Sequence, residues 1–370
     1  MRWRLISIVW LLAAGAASAQ EDPVGFFRLA GPVYTEIVSL SVDGELTWTN
    51  ASAGVTGRVQ RATDLSASQW VDHVGTIAED VVQALRVADP DTPEGMAFIP
   101  EGWFWMGDAF GEGDADEVPV HVVYTRAFHL DRDEVTKVHW DEVAAWAATN
   151  GYTFDHAGGG KAADHPVHTV SWHDAAKWCN ARSERAGWAP CYTTNGAVWR
   201  TGQATNAVCD AAADGARLPT EAEWEKAARG GETGRRFPWR GSDEITHGDA
   251  DYYSSAVHAY DTSPTRAFHP TWWTGLTPYT AAAESGAENG YGVRNMAGNV
   301  WEWCGDWYDG FYYSASPEAD PPGAETGAYR VLRGGSWNNE AVHCRTAFRI
   351  YNLPTYAGSL VGFRCARTAP

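Results

Sequence analysis

The feature that most constrains this chain is a set of glycine- and tryptophan-rich motifs near its C-terminus. The run 295–303 reads Asn-Met-Ala-Gly-Asn-Val-Trp-Glu-Trp, and the run 334–339 reads Gly-Gly-Ser-Trp-Asn-Asn. Adjacent glycines allow tight backbone turns, and large aromatic side chains can fill a core that has little regular secondary structure. The chain carries 20 tryptophans among its 370 residues. We therefore expect loops and short strands in this region, with most tryptophans in the core.

Residues 1–19 have the pattern of a secretory signal peptide. Arg2 and Arg4 precede an apolar stretch at 5–14, and Ala17-Ser18-Ala19 is a small-residue cleavage site. An apolar stretch of about ten residues is too short to span a bilayer. The sequence thus predicts an exported protein, periplasmic or extracellular, with no membrane span.

The overall charge restricts the partners of the chain. Its formal net charge is −19, which repels nucleic acid and anionic lipid. Solubility accounts for many of the acidic residues, and some of them could hold calcium, which prefers oxygen ligands. We expect no nucleic-acid partner.

The segment 24–88 shows the pattern of short β-strands. Alternating runs at 36–42 and 46–49 flank Asp43-Gly44, which is a strong hairpin signal. Further alternating runs lie at 55–60 and 69–72. The pattern predicts a small all-β sandwich similar to fibronectin type III modules. A turn-rich linker at 89–95 follows it.

The remaining segment, 96–368, is predicted to form one α+β domain. Thr136, Ser171 and Thr220 stand where helix N-caps belong, each ahead of a run with helical spacing. Glu223 follows Thr220 at the capping-box position. Beyond residue 230 the sequence indicates mostly loops and short strands.

The ordered motifs of this segment closely resemble those of the formylglycine-generating enzyme (sulfatase-modifying factor) family. They lie at 95–107, 133–136, 166–172, 217–225, 289–292, 295–303, 333–337 and 362–365. The resemblance covers roughly residues 93 to 368. It implies an α+β fold with low regular secondary structure, a variant of the C-type lectin arrangement. Active members oxidise a sulfatase cysteine to formylglycine with copper and oxygen.

The thiols of the copper-dependent members are not reproduced here. Those members carry a Cys-x4-Cys pair just after Gly-Gly-Ser, where this chain has Asn339 and Cys344. Counted forward from Ser336, Cys344 takes the second position of the pair. Counted back from Arg345, Cys344 instead resembles a separate structural cysteine of the family, and both cysteines of the copper-binding pair are deleted. This second alignment keeps more residues in register than the first. Because Cu(I) is soft and prefers two thiolates, both alignments predict that copper is not bound.

Six cysteines in an exported protein favour disulfides, although spacing cannot choose among fifteen connectivities. Cys191 and Cys209 flank a single Gly/Thr/Asn-rich insert and are natural partners. The resemblance implies a Cys179–Cys365 disulfide. If both pairs form, Cys304 is left to pair with Cys344. The usual family partner of the separate structural cysteine falls near Ala227, which has no thiol.

The resemblance also implies a calcium site. Its ligands would be Asn295, the carbonyls of Gly298 and Val300, and the carboxylate of Glu302, a hard oxygen shell that suits calcium. The alternative is that Glu302 only caps or forms a local salt bridge. A second family site would use Asp251 and the Tyr252 carbonyl, but the later aspartate of that site has no match, and we do not expect it.

Neither a histidine metal site nor a nucleophile motif is well supported by the sequence. His165, His168 and His173 are close in sequence, and Asp164 or Asp174 could complete a two-His, one-carboxylate site. Pro166 interrupts any helical face between the first two, so we interpret these as loop or surface histidines. No Gly-x-Ser-x-Gly elbow or phosphate-binding glycine loop is present.

The sequence therefore favours a calcium-stabilised binding or accessory module over a copper oxidase. A peptide, protein or glycan ligand would bind a groove lined by Trp301, Ser336, Trp337, Asn338 and Asn339. The competing hypothesis is a formylglycine-generating oxidase that acts on a sulfatase cysteine. Ser336 and Cys344 are the candidate catalytic side chains for it.

Overall fold

The structure, a computed structural model, describes residues 89–369 and, before them, the backbone of seven strands. These are β1 (Arg4–Val9), β2 (Phe26–Gly31), β3 (Thr35–Leu40), β4 (Glu45–Asn50), β5 (Thr56–Ala62), β6 (Val71–Ile77) and β7 (Val82–Arg86). They form two antiparallel sheets with strand orders β1-β2-β5-β6 and β3-β4-β7.

The predicted hairpin is confirmed by the pairing of β3 with β4. Thr35 lies opposite Asn50 and Leu40 opposite Leu46, while the Asp-Gly turn itself is outside the described residues. The runs predicted at 55–60 and 69–72 overlap β5 and β6. Strand β1 lies within the segment 1–19, whose role as a cleaved signal peptide stays a prediction, as does the likeness to fibronectin type III modules.

The part from residue 89 onward contains three α-helices and twelve short strands. The helices are α1 (Lys137–Thr149), α2 (Trp172–Ala186) and α3 (Glu221–Arg229). The strands are β8 (Met96–Ile99), β9 (Gly102–Met106), β10 (His121–Thr125), β11 (Phe128–Asp131), β12 (Tyr192–Thr194), β13 (Ala197–Val198), β14 (Val208–Cys209), β15 (Trp301–Trp307), β16 (Arg330–Arg333), β17 (Arg349–Asn352), β18 (Val361–Gly362) and β19 (Ala366–Thr368).

All three predicted helix N-caps are present. The Thr136 side chain accepts the His139 N–H, and Ser171 accepts the Asp174 N–H. Thr220 and Glu223 form the predicted capping box at the start of α3. A side-chain oxygen at this position satisfies one of the free N–H groups of the first turn, so the sequence alone determines where each helix begins.

Four sheets carry the strands of this domain, and all are small. Their strand orders are β10-β9, β19-β11-β8, β13-β12-β14 and β17-β16-β15-β18. In the last sheet, Glu302 lies opposite Arg333, and Trp301 pairs in parallel with Val361. This sheet brings three motifs that are distant in the sequence to one place.

Tryptophans fill the core beside α1 and α2, as expected. The Trp140 and Trp178 rings stack with centroids 5.9 Å apart, and Phe363 meets both edge-on. Long loops join the strands, so the domain has the α+β architecture with low regular secondary structure that the sequence predicts. The longest described helix, α2, has 15 residues, and no helix in the described ranges could cross a bilayer.

The predicted linker at 89–95 is anchored at its first residue. Asp89 is buried, and its Oδ2 lies 2.8 Å from His129 Nε2 in the middle strand of the β19-β11-β8 sheet. Asp89 Oδ1 and carbonyl O accept hydrogen bonds from the Asp91 N–H and the Thr92 hydroxyl. The turn-rich segment thus starts inside the α+β domain.

Candidate functional site

The Gly-Gly-Ser turn directly follows strand β16 and packs on the loop that ends at Cys344. Gly334 and Gly335 have φ values of 97° and 81°, in the left-handed region that favours glycine. A Cβ on Gly335 would lie 3.0 Å from Cys344 Sγ and 3.1 Å from the His343 carbonyl oxygen. The second glycine is therefore required both by its backbone and by the close approach of the 340–344 segment.

Three of the five predicted groove residues form one hydrogen-bonded unit. Asn339 Oδ1 accepts from the Ser336 hydroxyl and, at 2.9 Å, from Trp301 Nε1. Ser336 is fully buried, Trp301 and Trp337 are nearly so, and Asn338 is exposed. The Ser336 hydroxyl is thus committed to an amide oxygen rather than to a base, an arrangement that holds the loop in shape.

Trp337 extends this unit into a cluster of aromatic side chains that sequence reasoning missed. Its ring centroid lies 5.1 Å from that of Tyr279 and 5.9 Å from that of Phe268. Phe268 also contacts Tyr253 and Trp273, and Trp273 is 59 % exposed. These five residues, which we call the aromatic shelf, join the predicted groove to solvent. All but Trp337 come from loops without periodicity, so no pattern in the sequence marks those four.

A separate open cleft of about 750 Å³ lies next to Tyr260. It is lined by Glu112, Arg236 and the segments 241–244 and 257–260, and by none of the predicted groove residues. The Arg236 guanidinium is held by Glu112 and lies over the Tyr260 ring. Tyr260 packs against the buried cluster that contains Cys344, so it separates the cleft from that thiol.

Cys344 is fully buried at the end of the 3₁₀ turn Ala341–Cys344. Its neighbours are the apolar side chains of Phe237, Ile245 and Tyr252. Burial, and secondarily the charge of Asp251, raises the pKa of its thiol. A thiol in these surroundings stays protonated and is a poor metal ligand or nucleophile.

The structure separates Cys344 from the partners considered for it. Cys304 packs with Trp224 and Met296 in a different cluster, which also contains Ala227. The two thiols pack in different clusters of the core, and the pairing of Cys304 with Cys344 stays a prediction.

The other four cysteines do lie in pairs, although all six are free thiols in the structure. The Cys179 and Cys365 sulfurs are 3.5 Å apart, which is longer than the roughly 2.05 Å of a disulfide bond. Cys209 lies opposite Tyr192, the residue that follows Cys191. The thiols of Cys191 and Cys209 are hydrogen-bonded to each other. The two cysteines of each predicted disulfide therefore lie close together, and both disulfides stay predictions.

The predicted calcium ligands surround a tightly wound loop. Asn295, Gly298 and Asn299 have φ values of 54°, 81° and 61°. However, the Glu302 carboxylate accepts from Arg364 Nε at 2.7 Å and Nη2 at 2.6 Å, and from Trp224 Nε1 at 2.7 Å. The local salt bridge considered for Glu302 is therefore present. No group of three or more His, Cys, Asp and Glu side chains within the described ranges is arranged for a metal.

Two other buried carboxylates beside this loop lack a full set of partners. Glu134 Oε2 accepts from Asn295 Nδ2 at 3.0 Å, but no side chain of the described residues donates to its Oε1. Burial raises the pKa of Glu134 to about 8; the Arg364 charge opposes this shift and the Glu302 charge adds to it. Within the described part of the chain, no side chain donates to either oxygen of Asp251. Burial raises the pKa of Asp251 as well, against the nearby Lys161 charge.

The three histidines considered for a metal site do not converge. His165 Nδ1 meets Thr280 Oγ1, and His168 Nδ1 meets Thr169 Oγ1. His173 lies edge-on to the rings of Trp172 and Trp199. Burial lowers the pKa values of His168 and His173 to about 4. They are core histidines with local partners, and they are more buried than the loop or surface positions expected.

With this geometry described, the chain can be compared with known proteins. Residues 82–369 match the family model described as a sulfatase-modifying factor enzyme 1-like domain. The chain is 38 % identical over 315 residues to a formylglycine-generating enzyme of Streptomyces coelicolor, covering 76 % of this chain and 92 % of that protein. It is 33 % identical to the formylglycine-generating enzyme of Thermomonospora curvata, covering 76 % and 96 %.

Solved structures with a similar fold include proteins of other names. Treponema denticola variable protein 1 superposes with a TM-score of 0.58 at 27 % identity, covering 74 % of this chain and 95 % of that one. CarF superposes with a TM-score of 0.56 at 27 % identity, covering 75 % and 99 %. The same fold is thus found in proteins that are not named as formylglycine-generating enzymes.

Proposed function

Because the chain belongs to the sulfatase-modifying factor enzyme 1-like family, we propose that it is an exported binding or accessory module without copper oxidase activity. Its ligand is a peptide, a protein or a glycan. The ligand surface consists of the predicted groove and the aromatic shelf beside it. Calcium stabilises the module through the 295–302 loop.

One observation carries this proposal. The loop that follows the Gly-Gly-Ser turn contains a single thiol, Cys344, which is fully buried among apolar side chains. The position five residues before it holds Asn339, whose amide oxygen is bound by Ser336 and Trp301. Cu(I) is soft and prefers two thiolates, and the remaining five cysteines lie in other elements. The site therefore supports recognition better than oxygen activation.

The surface next to this loop supports a binding role. Trp273 is largely exposed, and Phe268 and Trp337 behind it are fixed by ring contacts. Aromatic rings held in this way offer a large apolar area to peptide side chains and to sugar rings at low entropic cost. Asn338, which is exposed beside them, supplies a polar group that can orient a ligand.

The calcium part of the proposal rests on the oxygen chemistry of the loop. Asn295 and the carbonyls of Gly298 and Val300 offer neutral oxygens, and the buried carboxylates beside them supply the charge. Glu134 Oε1 is a buried oxygen to which no described side chain donates, and a bound cation would satisfy it. When bound, calcium would crosslink the loop and so add to the stability of the fold.

The alternative function is that of a formylglycine-generating oxidase. It is favoured by the 38 % identity to the enzyme of Streptomyces coelicolor, which extends over most of both chains. Under this alternative Cys344 would bind copper together with a second thiol brought to it by a rearrangement of the loop. Shared fold and shared activity are separate matters, because activity depends on the site.

An activity assay separates the two proposals. The purified protein, supplied with copper and oxygen, is incubated with a sulfatase-derived peptide that contains the target cysteine, and the peptide mass is followed. The Streptomyces coelicolor relative serves as the positive control, and the Cys344→Ser variant as the negative one. We expect no formylglycine product from this chain. Turnover that disappears in Cys344→Ser would overturn the proposed function in favour of the oxidase.

A second experiment tests the ligand surface. Peptide and glycan arrays are probed with the full-length protein and with Trp273→Ala, which alters an exposed ring and leaves the core intact. Tyr351→Ala, which removes another partly exposed aromatic residue from strand β17, is the matched control. We expect Trp273→Ala alone to lose at least tenfold in affinity. Equal binding by both variants would place the ligand elsewhere.

A further inference from the structure

We propose that Glu134, rather than Glu302, is the carboxylate that binds a cation at the 295–302 loop. Asn295 and the Ala283 carbonyl would be its companions in the site. This inference rests on the calcium binding included in the proposed function. It changes which residues would form the site.

Three of the four lone pairs of the Glu302 carboxylate are already taken by hydrogen-bond donors. Both of its oxygens accept hydrogen bonds from the Arg364 guanidinium, and Oε2 also accepts from Trp224 Nε1. Arg364 is itself fully buried and donates its other hydrogens to backbone carbonyls. A second positive charge on this carboxylate would face the guanidinium without water between them, where like-charge repulsion is poorly screened.

The carboxylate of Glu134, unlike that of Glu302, has few hydrogen-bond donors around it. It is only 1 % exposed, and among the described residues its side-chain donor is the Asn295 amide, whose Nδ2 lies 3.0 Å from Oε2. Its Oε1 is buried and accepts no hydrogen bond from any described side chain. The guanidinium that faces it, that of Arg364, is already engaged by Glu302. A buried carboxylate oxygen without a partner is costly, and a hard cation is the ligand that satisfies it.

The surroundings of the Asn295 amide complete the donor set. Its Nδ2 donates to both Glu134 Oε2 and the Ala283 carbonyl oxygen. These two oxygens therefore converge on one polar atom. A half-turn of the amide about Cβ–Cγ exchanges its nitrogen for its oxygen with almost no change of shape. The carboxylate, the carbonyl and the amide oxygen would then face a common point, which is the chemistry that calcium requires.

Calcium binding by the full-length protein tests this assignment. Calcium is removed with a chelator and then titrated back, with the melting temperature and calorimetric binding as readouts. The variants are Glu134→Gln, Glu302→Gln and, as a surface control, Glu94→Gln. We expect Glu134→Gln to lose at least tenfold in calcium affinity, with a melting temperature in chelator equal to or above that of the unmodified protein. Glu94→Gln should bind as the unmodified protein does.

The outcomes separate this inference from the proposed function. If the unmodified protein binds calcium and Glu134→Gln binds it equally well, the assignment to Glu134 is wrong and the calcium proposal stands. If Glu302→Gln alone loses calcium, the ligand set implied by the family resemblance is correct. If the unmodified protein binds no calcium, both calcium statements fail, while the absence of oxidase activity is untouched.

Discussion

The buried ion pairs of the scaffold and the loop from Ser336 to Cys344 differ in whether their side chains have the partners that they need. Six buried guanidinium groups of the scaffold each meet a carboxylate. The pairs are Arg182 with Asp131, Arg217 with Glu223, Arg333 with Glu225, Arg345 with Glu117, Arg349 with Glu221 and Arg364 with Glu302. The loop, in contrast, offers one buried thiol where Cu(I) prefers two.

This difference separates what makes the fold from what makes the activity. The paired charges join segments that are far apart in the chain; Arg345 and Glu117, for example, are 228 residues apart. Removing one member of such a pair leaves a buried charge, so the pairs must be kept for the fold to persist. Among the described residues, no buried ion pair involves the loop from Ser336 to Cys344, whose thiol packs among apolar side chains instead. Family membership therefore describes the scaffold and leaves the chemistry open.

The largest effect is expected from breaking the scaffold at Arg333. Its guanidinium donates to Glu225 and to the carbonyls of residues 346–348. Arg333→Met should lower the free energy of unfolding by about 3–5 kcal/mol, as measured by chemical denaturation. The control is Arg126→Met, because Arg126 is 77 % exposed in its pair with Asp320, and its denaturation midpoint should not move. Equal midpoints for both variants would show that the ion pairs do not hold the fold.

A smaller effect is expected from the loop itself. Asn339→Ala leaves the buried Ser336 hydroxyl and the Trp301 indole N–H without their acceptor. We expect a loss of about 1–3 kcal/mol in stability, together with weaker ligand binding at the aromatic shelf. Asn338→Ala, one residue earlier and exposed, is the control for stability. A stable Asn339→Ala variant would mean that the loop is less ordered than the hydrogen bonds indicate.

A third, pH-dependent effect concerns a lysine that has no ion pair within hydrogen-bond reach in the described structure. Lys226 donates from α3 to the Gly102 carbonyl and to Thr125 Oγ1, and burial lowers its pKa from 10.5 to about 7. Between about pH 7 and 10 the unfolded chain holds a proton that the folded protein has released. The free energy of unfolding should therefore rise with pH across this window, by up to about 1.4 kcal/mol per pH unit from this group.

Comparison with two variants isolates the contribution of Lys226. In Lys226→Met the rise between pH 7 and 9 should be smaller than in the unmodified protein. Lys137→Met removes the lysine of an ion pair near the surface. In this variant the rise in the free energy of unfolding between pH 7 and 9 should equal that of the unmodified protein. Parallel pH profiles for all three proteins would contradict the assignment of a lowered pKa to Lys226.

The sequence could predict the features that depend on neighbours in the chain. The N-caps at Thr136, Ser171 and Thr220 were predictable because capping is local, and the β3–β4 hairpin because Asp-Gly strongly favours such a turn. The α+β class followed from the ordered motifs. The core position of most tryptophans in α1 and α2 followed from their spacing.

Features that depend on contacts between distant segments could not be predicted. The pairing of Arg345 with Glu117 and the convergence of Glu134 on Asn295 arise only when the sheets have assembled. The packing of Cys304 and Cys344 in different clusters is of the same kind. The cleft at 241–244 and 257–260 lies in loops that have neither periodicity nor a recognisable motif.

The central claim is that the loop after the Gly-Gly-Ser turn holds no copper site, and copper binding by the native protein tests it most directly. The full-length protein is titrated with Cu(I) in competition with a chromophoric chelator, alongside Cys344→Ser and the Streptomyces coelicolor relative. We predict that the native chain and Cys344→Ser withdraw equally little copper from the chelator. One equivalent of Cu(I), bound tightly by the native chain and lost in Cys344→Ser, would contradict the account.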